Sequence, residues 1–424
     1  MSEPVNPTTP LRVRTSWALF IGAACIGIIQ VIYPVGYGFG HGFEMSAIAR
    51  NLAAQGTFGN PFEPAITGPT AVVPPLYPIF LSVMFKLFAP PFSVLVPILG
   101  NVLANALTGA LMPRLSTLSI GNPTPGIFAG ILWMFAMRLM PQWDAGYTLA
   151  ALILFFILTA EALGRGNMSN RAAMAAGLAG GLISLANPAT VLVFIPWVLF
   201  LLIRHRSPLQ DAIRCLAILA VTVALCNVPW VIRNYRIWHA FALRTNFGMT
   251  LYSSNNDCAQ ASLFKSGANG CYQLTHPVAS EAEIASLKRL GEVTFDRERT
   301  AMAMGWIRSH PDRFRELTLK RVIEFWLPEP QAPAYTTYAI WVITVLSLPG
   351  MILMVRNCLP LAWFVVALWI VYPPMYYIVV SSDRYRYPII WSSLLPAGYL
   401  LALLWVRPES PGRSGRTSRS RPAA

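Results

Sequence analysis

Charge is scarce in this chain of 424 residues: only 12% are Asp, Glu, Lys or Arg, against about a quarter in an ordinary soluble domain. Histidine is scarcer still, with five residues (41, 205, 239, 276, 310) that show no metal-ligand spacing, so no metal centre is expected. There is no P-loop, no GxGxxG before a helix and no HExxH, so nucleotide-dependent and zincin-type chemistry lack their signatures. No A-x-A site follows the first apolar run, which argues against a cleaved signal peptide. No internal repeat is visible, which counts against a transporter built from inverted repeats.

What is abundant is apolar surface. The chain is 55% hydrophobic with a mean hydropathy of +0.51, and many runs reach the roughly 20 residues that cross a bilayer. The expectation is an all-α polytopic membrane protein. The net charge of +14 comes mainly from Lys and Arg between apolar runs and in the tail. That is the positive-inside pattern, and it explains the basicity better than nucleic-acid binding does. A short leader at 1–15 with Arg12 and Arg14 places the N-terminus in the cytoplasm, and residues 407–424 read as a disordered basic cytoplasmic tail. Between them lie an N-terminal transmembrane module (16–236), a mixed-polarity segment (237–335) suited to an extracytoplasmic subdomain, and C-terminal spans (336–406). One conflict arises at 76–112: with the N-terminus and Arg114 both inside, only one net crossing fits. Either Leu76–Phe88 is a short interfacial or re-entrant piece, or Arg114 breaks the charge rule.

The polar stretch 37–78 follows the first span and concentrates His41, Glu44 and Glu63 among glycines and prolines. Within it, 43–54 reads as an amphipathic helix with Met45, Ile48 and Leu52 on one face, suited to a membrane interface. Only 18 residues are acidic, and four of them fall at the outer membrane face: Glu44, Glu63, Asp144 and Asp383. An ionisable group near the membrane is costly enough to be a functional candidate. Glu44 is placed best, on the helix that enters from span one; its bland alternative is a solvated acid favoured by the helix dipole. Glu63 between prolines is as readily a solvated loop acid. Asp144, after Trp143, suits orienting a base or binding an acceptor.

Outer-face arginines need a reason, because the charge rule disfavours them in short loops there. Arg233, Arg244, Arg321, Arg384 and Arg386 form this set. A phosphate is the natural partner of a guanidinium fork, and snorkelling to lipid headgroups is the alternative. Asp383 is read as the anchor of Arg384. Cys258 and Cys271 lie in the longest polar segment and could form a disulfide if it is extracytoplasmic; otherwise they are free thiols.

The motifs also fall in a familiar order. An acid-bearing first outer loop ends in PPLYP (74–78), Trp143-Asp144 opens a span, and Asn187-Pro188 begins another. PWVIRNYR (229–236), RTNFGMTLYSSNN (244–256), HP (276–277), LGE (290–292), HPDRF (310–314), KRVIEFW (320–326) and RYRYP (384–388) follow. Over most of 15–400 this resembles the GT-C membrane glycosyltransferases of the protein-mannosyltransferase and aminoarabinose-transferase type, in particular their bacterial relatives. The resemblance implies a GT-C-like bundle of about 10–11 membrane helices, with the active site at the periplasmic face of the bacterial inner membrane. It implies sugar transfer from a polyprenyl-phosphate donor to a glycan, lipid or protein acceptor, without a nucleotide cofactor. Glu44 matches the family's first-loop acid and would be the base. Phe43 stands where members often pair Asp with Glu, so a metal held by such a pair does not carry over. Arg233 and Arg384, with Arg244 or Arg386, would hold the leaving phosphate; His41, Glu63, Asn187 and Arg321 are secondary candidates. One base and one displacement imply inversion. A lipid-linked-sugar flippase or transporter that grips phosphate with the same arginines is the alternative.

Overall fold

A computed structural model describes residues 10–33, 44–141, 143–164, 169–204, 208–331 and 333–405. His41, most of the leader and the basic tail lie outside the described residues. Every regular element among those described is helical. The N-terminal module contains α1 (Pro10–Ile32), α2 (Glu44–Gln55), α3 (Leu76–Leu87), α4 (Phe92–Ile120), α5 (Thr124–Ala136), α6 (Ala145–Gly164), α7 (Asn170–Ala186), α8 (Val191–Arg204) and α9 (Leu209–Trp238). The middle segment folds into α10 (Phe247–Ser254), α11 (Leu263–Ala268), α12 (Cys271–Thr275), α13 (Glu281–Leu290), α14 (Glu292–Ser309) and α15 (Pro311–Trp326). The chain then returns through α16 (Ala334–Arg356), α17 (Pro360–Val371), α18 (Pro374–Tyr377) and α19 (Trp391–Trp405).

Among the described residues six helices are long and apolar enough to cross a membrane, and the pair Asp383–Ile389 and Trp391–Trp405, bent by 65°, makes a seventh if it is counted as one span. The remaining rods, α5, α7 and α8, have 13, 17 and 14 residues. At 1.5 Å per residue these span about 20–26 Å, short of a 30 Å core. They are nonetheless integral to the bundle, with α5 against α4 and α19, α7 against α9, and α8 against α17. Small residues permit the close approaches. A Cβ on Gly126 would fall 2.3 Å from the Met112 carbonyl oxygen, and one on Gly398 would fall 2.1 Å from that of Pro125. Membrane helices gain stability from such packing rather than from exclusion of water. An aromatic cluster of Phe156, Trp197, Phe364 and Trp391 fills the bundle centre.

The conflict at 76–112 resolves in favour of a non-crossing α3. Tyr77, at its start, donates to the Pro141 carbonyl at 2.6 Å. Tyr147, at the start of α6, donates to the Pro97 carbonyl near the start of α4 at 2.7 Å. Rings 77, 80 and 147 are in mutual contact, so α3 and the start of α4 share one face of the bundle. Arg114 is not in a loop as expected. Helix α4 continues to Ile120 and is capped there by Gly121 at φ +87°, while Arg114 pairs with Glu161 of α6 at 2.7 Å.

Polar capping sets several boundaries. Ser280 accepts the Glu283 amide at the start of α13, and Gly291, at φ +74°, separates α13 from α14. Cys258 and Cys271 are joined, with Cα atoms 5.4 Å apart. They close a loop of 13 residues, a length for which chain entropy contributes about 3 kcal/mol. A non-reducing digest of membrane-inserted protein should therefore release peptides 258 and 271 as one linked species. The Cys258→Ser, Cys271→Ser double variant should melt at a lower temperature in detergent. Two separately alkylated peptides would contradict the bond.

Candidate active site

One cavity of about 700 Å³ opens among the ends of the helices. Its walls come from the C-terminal end of α1, from 72–74, from the strap 138–145 between α5 and α6, from the α7–α8 corner at 186–189, from the middle segment, and from 372–385. The face that holds α3 therefore also holds the cavity, and the alternation of the rods brings these turns to one side.

Helix α2 carries Glu44 at its first position. The acid is 7% exposed, not solvated, because Met45 and Ile48 bury this helix against α3. Oε1 lies 3.8 Å from Nε2 of His276. Oε2 is buried and has no hydrogen-bond partner among the described residues. A buried acceptor without a donor is costly, and Glu44 itself lines the cavity.

Asp144 sits just before α6, 7% exposed. Its Oδ2 accepts Thr148 Oγ1 at 2.7 Å and Asn187 Nδ2 at 3.2 Å. Asn187 also accepts the Ala189 amide through Oδ1, so one side chain ends the α7–α8 corner and fixes Asp144. Asn187 and Asp144 both line the cavity. Tyr372, Tyr376 and Tyr385 form its aromatic wall; rings 376 and 385 stack at 4.5 Å.

The arginines divide. Arg244 and Arg384 line the cavity. Arg384 lies 3.5 Å over the Trp143 ring, and Arg244 Nε donates to the Val72 carbonyl at 2.7 Å. Burial first, and then the nearby Arg384, push the Arg244 guanidinium below its ordinary pKa, so an anion between the two is electrostatically called for. Arg233 is not in the lining. Its donors go to the carbonyls of Thr70 at 2.7 Å and Phe58 at 3.0 Å, and it rests 4.8 Å over Trp230. Arg386 donates to Trp326 O, Thr344 Oγ1 and Ser393 Oγ. Arg321 is wholly buried, bonded to the carbonyls of Ser254 and Ile378 and to Asn255. These three tie backbone segments together and do not face the cavity, contrary to the sequence reading. Glu63 likewise pairs with Arg50 at 2.6 Å on the surface. Asp383 anchors Arg138, at 2.9 Å, rather than the Arg384 side chain.

Three participants were not singled out by sequence. Glu292 is 8% exposed and accepts Thr70 Oγ1 at 2.6 Å, the Ala71 amide at 2.7 Å and Thr245 Oγ1. Burial pushes its carboxyl up, and those donors pull against the shift. Arg138 lines the cavity in its pair with Asp383. His276 faces Glu44. Only the HP dipeptide marked it, and nothing in the spacing links it to a residue 232 positions earlier. Among the described residues no three His, Cys, Asp or Glu side chains come together to hold a metal ion.

Arg384→Gln should weaken binding of an anion such as inorganic phosphate in the cavity about 10- to 100-fold, the worth of a charge-assisted hydrogen bond. Arg233→Gln should leave that affinity unchanged and lower the melting temperature. Equal loss of affinity in both would contradict the division.

No protein-family model matches the sequence, and no curated protein does. Solved structures do. The archaeal oligosaccharyltransferase AglB from Archaeoglobus fulgidus, in complex with an inhibitory peptide and a dolichol-phosphate, aligns with 92% of this chain at 11% identity and a TM-score of 0.51. The same organism's oligosaccharyltransferase, tethered to an acceptor peptide containing the NVT sequon, aligns at a TM-score of 0.54, also with 92% coverage and 11% identity. The chain spans about half the length of these proteins, 50% and 49%. At this identity the likeness is one of fold: this is a multi-pass membrane protein that shares its fold with these archaeal oligosaccharyltransferases.

Proposed function

We propose that the protein is an inverting glycosyltransferase that moves a hexosyl or pentosyl group from a polyprenyl-phosphate donor to a hydroxyl acceptor. In this reading it belongs with the bacterial enzymes of the protein-mannosyltransferase and aminoarabinose-transferase type. It works in the inner membrane with both termini cytoplasmic and the cavity open to the periplasm. The observation that carries this is a buried Glu44, one carboxylate oxygen without a partner among the described residues, lining the same cavity as Arg244 and Arg384. The dolichol-phosphate bound by one structural neighbour supports a lipid-phosphate donor, as does the absence of a nucleotide motif in this chain.

Glu44 Oε2 takes the acceptor proton as the acceptor oxygen bonds to the anomeric carbon. The bond from that carbon to the phosphate oxygen breaks, and its electrons leave with the lipid phosphate, held by Arg244 and Arg384. This divides the work between a base in hydrogen-bond reach and fixed positive charge where negative charge develops. Asp144, fixed by Thr148 and Asn187, orients the incoming hydroxyl from the α6 side.

The test is release of polyprenyl phosphate from polyprenyl-phospho-sugars by purified protein, with a membrane extract as acceptor source. Glu44→Gln should lower release about 10²- to 10⁴-fold, the usual contribution of a general base, while still binding lipid. Equal release by both proteins would remove Glu44 from the role. Binding without release from any donor would turn the reading toward a lipid-linked-sugar flippase.

A further inference from the structure

Burying a histidine beside a carboxylate usually makes an ion pair or a proton relay. The surroundings of His276 allow neither. Its Nδ1 accepts the backbone amide of Val278 at 3.2 Å, so that nitrogen carries no proton. The neutral ring therefore holds its hydrogen on Nε2, the atom 3.8 Å from Glu44 Oε1. Both residues are 7% exposed. The ring is gripped on both sides, stacked on Tyr272 at 4.6 Å and edge-on to Phe62 at 5.9 Å. A flipped ring would give up the Val278 amide bond to Nδ1.

We propose that His276 is the positioning residue of the base, donating Nε2–H to Glu44 Oε1 so that Oε2 alone is turned to the acceptor hydroxyl. This deepens the glycosyltransferase reading and rests on it for its catalytic consequence, though not for the contact itself. The gap of 3.8 Å is longer than a hydrogen bond, as such contacts often are before substrate closes the site. The two oxygens have different neighbours: Oε1 lies closest to the fixed donor, and Oε2 is buried without a hydrogen-bond partner among the described residues, on a residue that lines the cavity.

His276 does not shuttle the proton onward. A second proton would have to displace the Val278 amide from Nδ1. Burial also pulls the imidazole down to about 4; Glu44 opposes that shift and Arg384 adds to it. A group with a depressed pKa stays neutral above it, so from about pH 5 upward His276 is an uncharged donor and adds no titration of its own. The charged groups around the pair are Glu44 from α2, Arg384 from the 383–385 turn and Arg244 from the strap after α9. The pH dependence of turnover is thus expected to be the same with and without His276. The disulfide explains how the donor is held, since Cys271 begins the short helix that ends at His276.

Two substitutions separate the donor from the shape. A glutamine side chain presents its Nε2–H near where the imidazole's lies, so His276→Gln should keep turnover within about tenfold. His276→Phe preserves the stack on Tyr272 without the donor, and should lower kcat about 100-fold, the scale of a misplaced catalytic group, with donor KM little changed. Full turnover in His276→Phe, or equal loss in both variants, would overturn the proposal. A readout without catalysis keeps the contact falsifiable if no donor is turned over at all. In ¹⁵N-histidine spectra, His276 should show the Nε2–H tautomer from pH 5 to 9, and that proton should shift in Glu44→Ala. A Nδ1–H tautomer, or a resonance indifferent to Glu44, would refute it whatever the enzyme does.

Discussion

The site depends on one buried carboxylate that reacts with nothing. Glu292, at the first position of α14, draws the Thr70 hydroxyl, the Ala71 amide and the Thr245 hydroxyl onto its two oxygens. The Thr245 amide then donates to the Ala71 carbonyl at 3.0 Å, and Arg244 Nε donates to the Val72 carbonyl. Two strands of irregular chain, one from the first outer loop and one from the strap after α9, are thereby zipped side by side. Without this clamp neither has a regular partner, since no sheet is present among the described residues to receive them. Arg244 and the α2–α3 loop reach the cavity together because Glu292 holds their neighbours together. A carboxylate suits the role because it accepts several donors at once, which no neutral side chain of that size does.

The arginines follow from the same arithmetic of desolvation. A guanidinium taken out of water must find acceptors, and in this chain backbone carbonyls supply most of them. Arg233, Arg321 and Arg386 direct their terminal guanidinium donors to backbone carbonyls, hydroxyls or an amide oxygen, although Nε of Arg321 and of Arg386 has no partner among the described residues, and so stitch separate segments together. Arg244 and Arg384 instead line the cavity, Arg244 with one Nε contact to a carbonyl and Arg384 over the Trp143 and Tyr385 rings with a hydrogen bond to Tyr385. The same residue type serves as mortar in one position and as a receptor in another, according to how many carbonyls are within reach.

This division was the illegible part of the sequence. Hydropathy exposed the helical membrane class and most rod positions, because composition and length are local properties. The charge rule marked five arginines as needing partners, yet could not tell a carbonyl partner from an open cavity. Glu44 was legible as an acid at the start of an amphipathic helix, and Asp144 and Asn187 as polar residues at span ends; their meeting through Asn187 Nδ2 was not. His276 lies 232 residues from Glu44, and Glu292 lies 222 residues from Thr70. The HP and LGE motifs marked them only as part of an ordered set, with no role of their own. The non-crossing α3 was legible as an alternative only, since length permitted it and contacts through Tyr77 and Tyr147 were needed to choose.

Charge bookkeeping around the cavity gives the proposed reaction its direction. Among the described residues three arginines and three acids line it, and Arg138 with Asp383 cancels within the wall. That leaves Glu44 and Asp144 facing Arg244 and Arg384, with His276 neutral between them and the middle segment. A donor phosphodiester brings one negative charge. When Glu44 takes the acceptor proton it loses its own, and the departing phosphate monoester gains one, so the total in the cavity is constant through the step. Negative charge moves from the carboxylate to the phosphate, toward the two guanidiniums. At an effective dielectric of about 20 a charge pair 4 Å apart is worth about 4 kcal/mol, so fixed arginines on the receiving side favour the product arrangement without requiring solvent to reorganise. The same arithmetic explains why a neutral histidine suits the Glu44 side. A cation there would hold the negative charge on the base and oppose its transfer, whereas an uncharged N–H orients the carboxylate and lets the charge go.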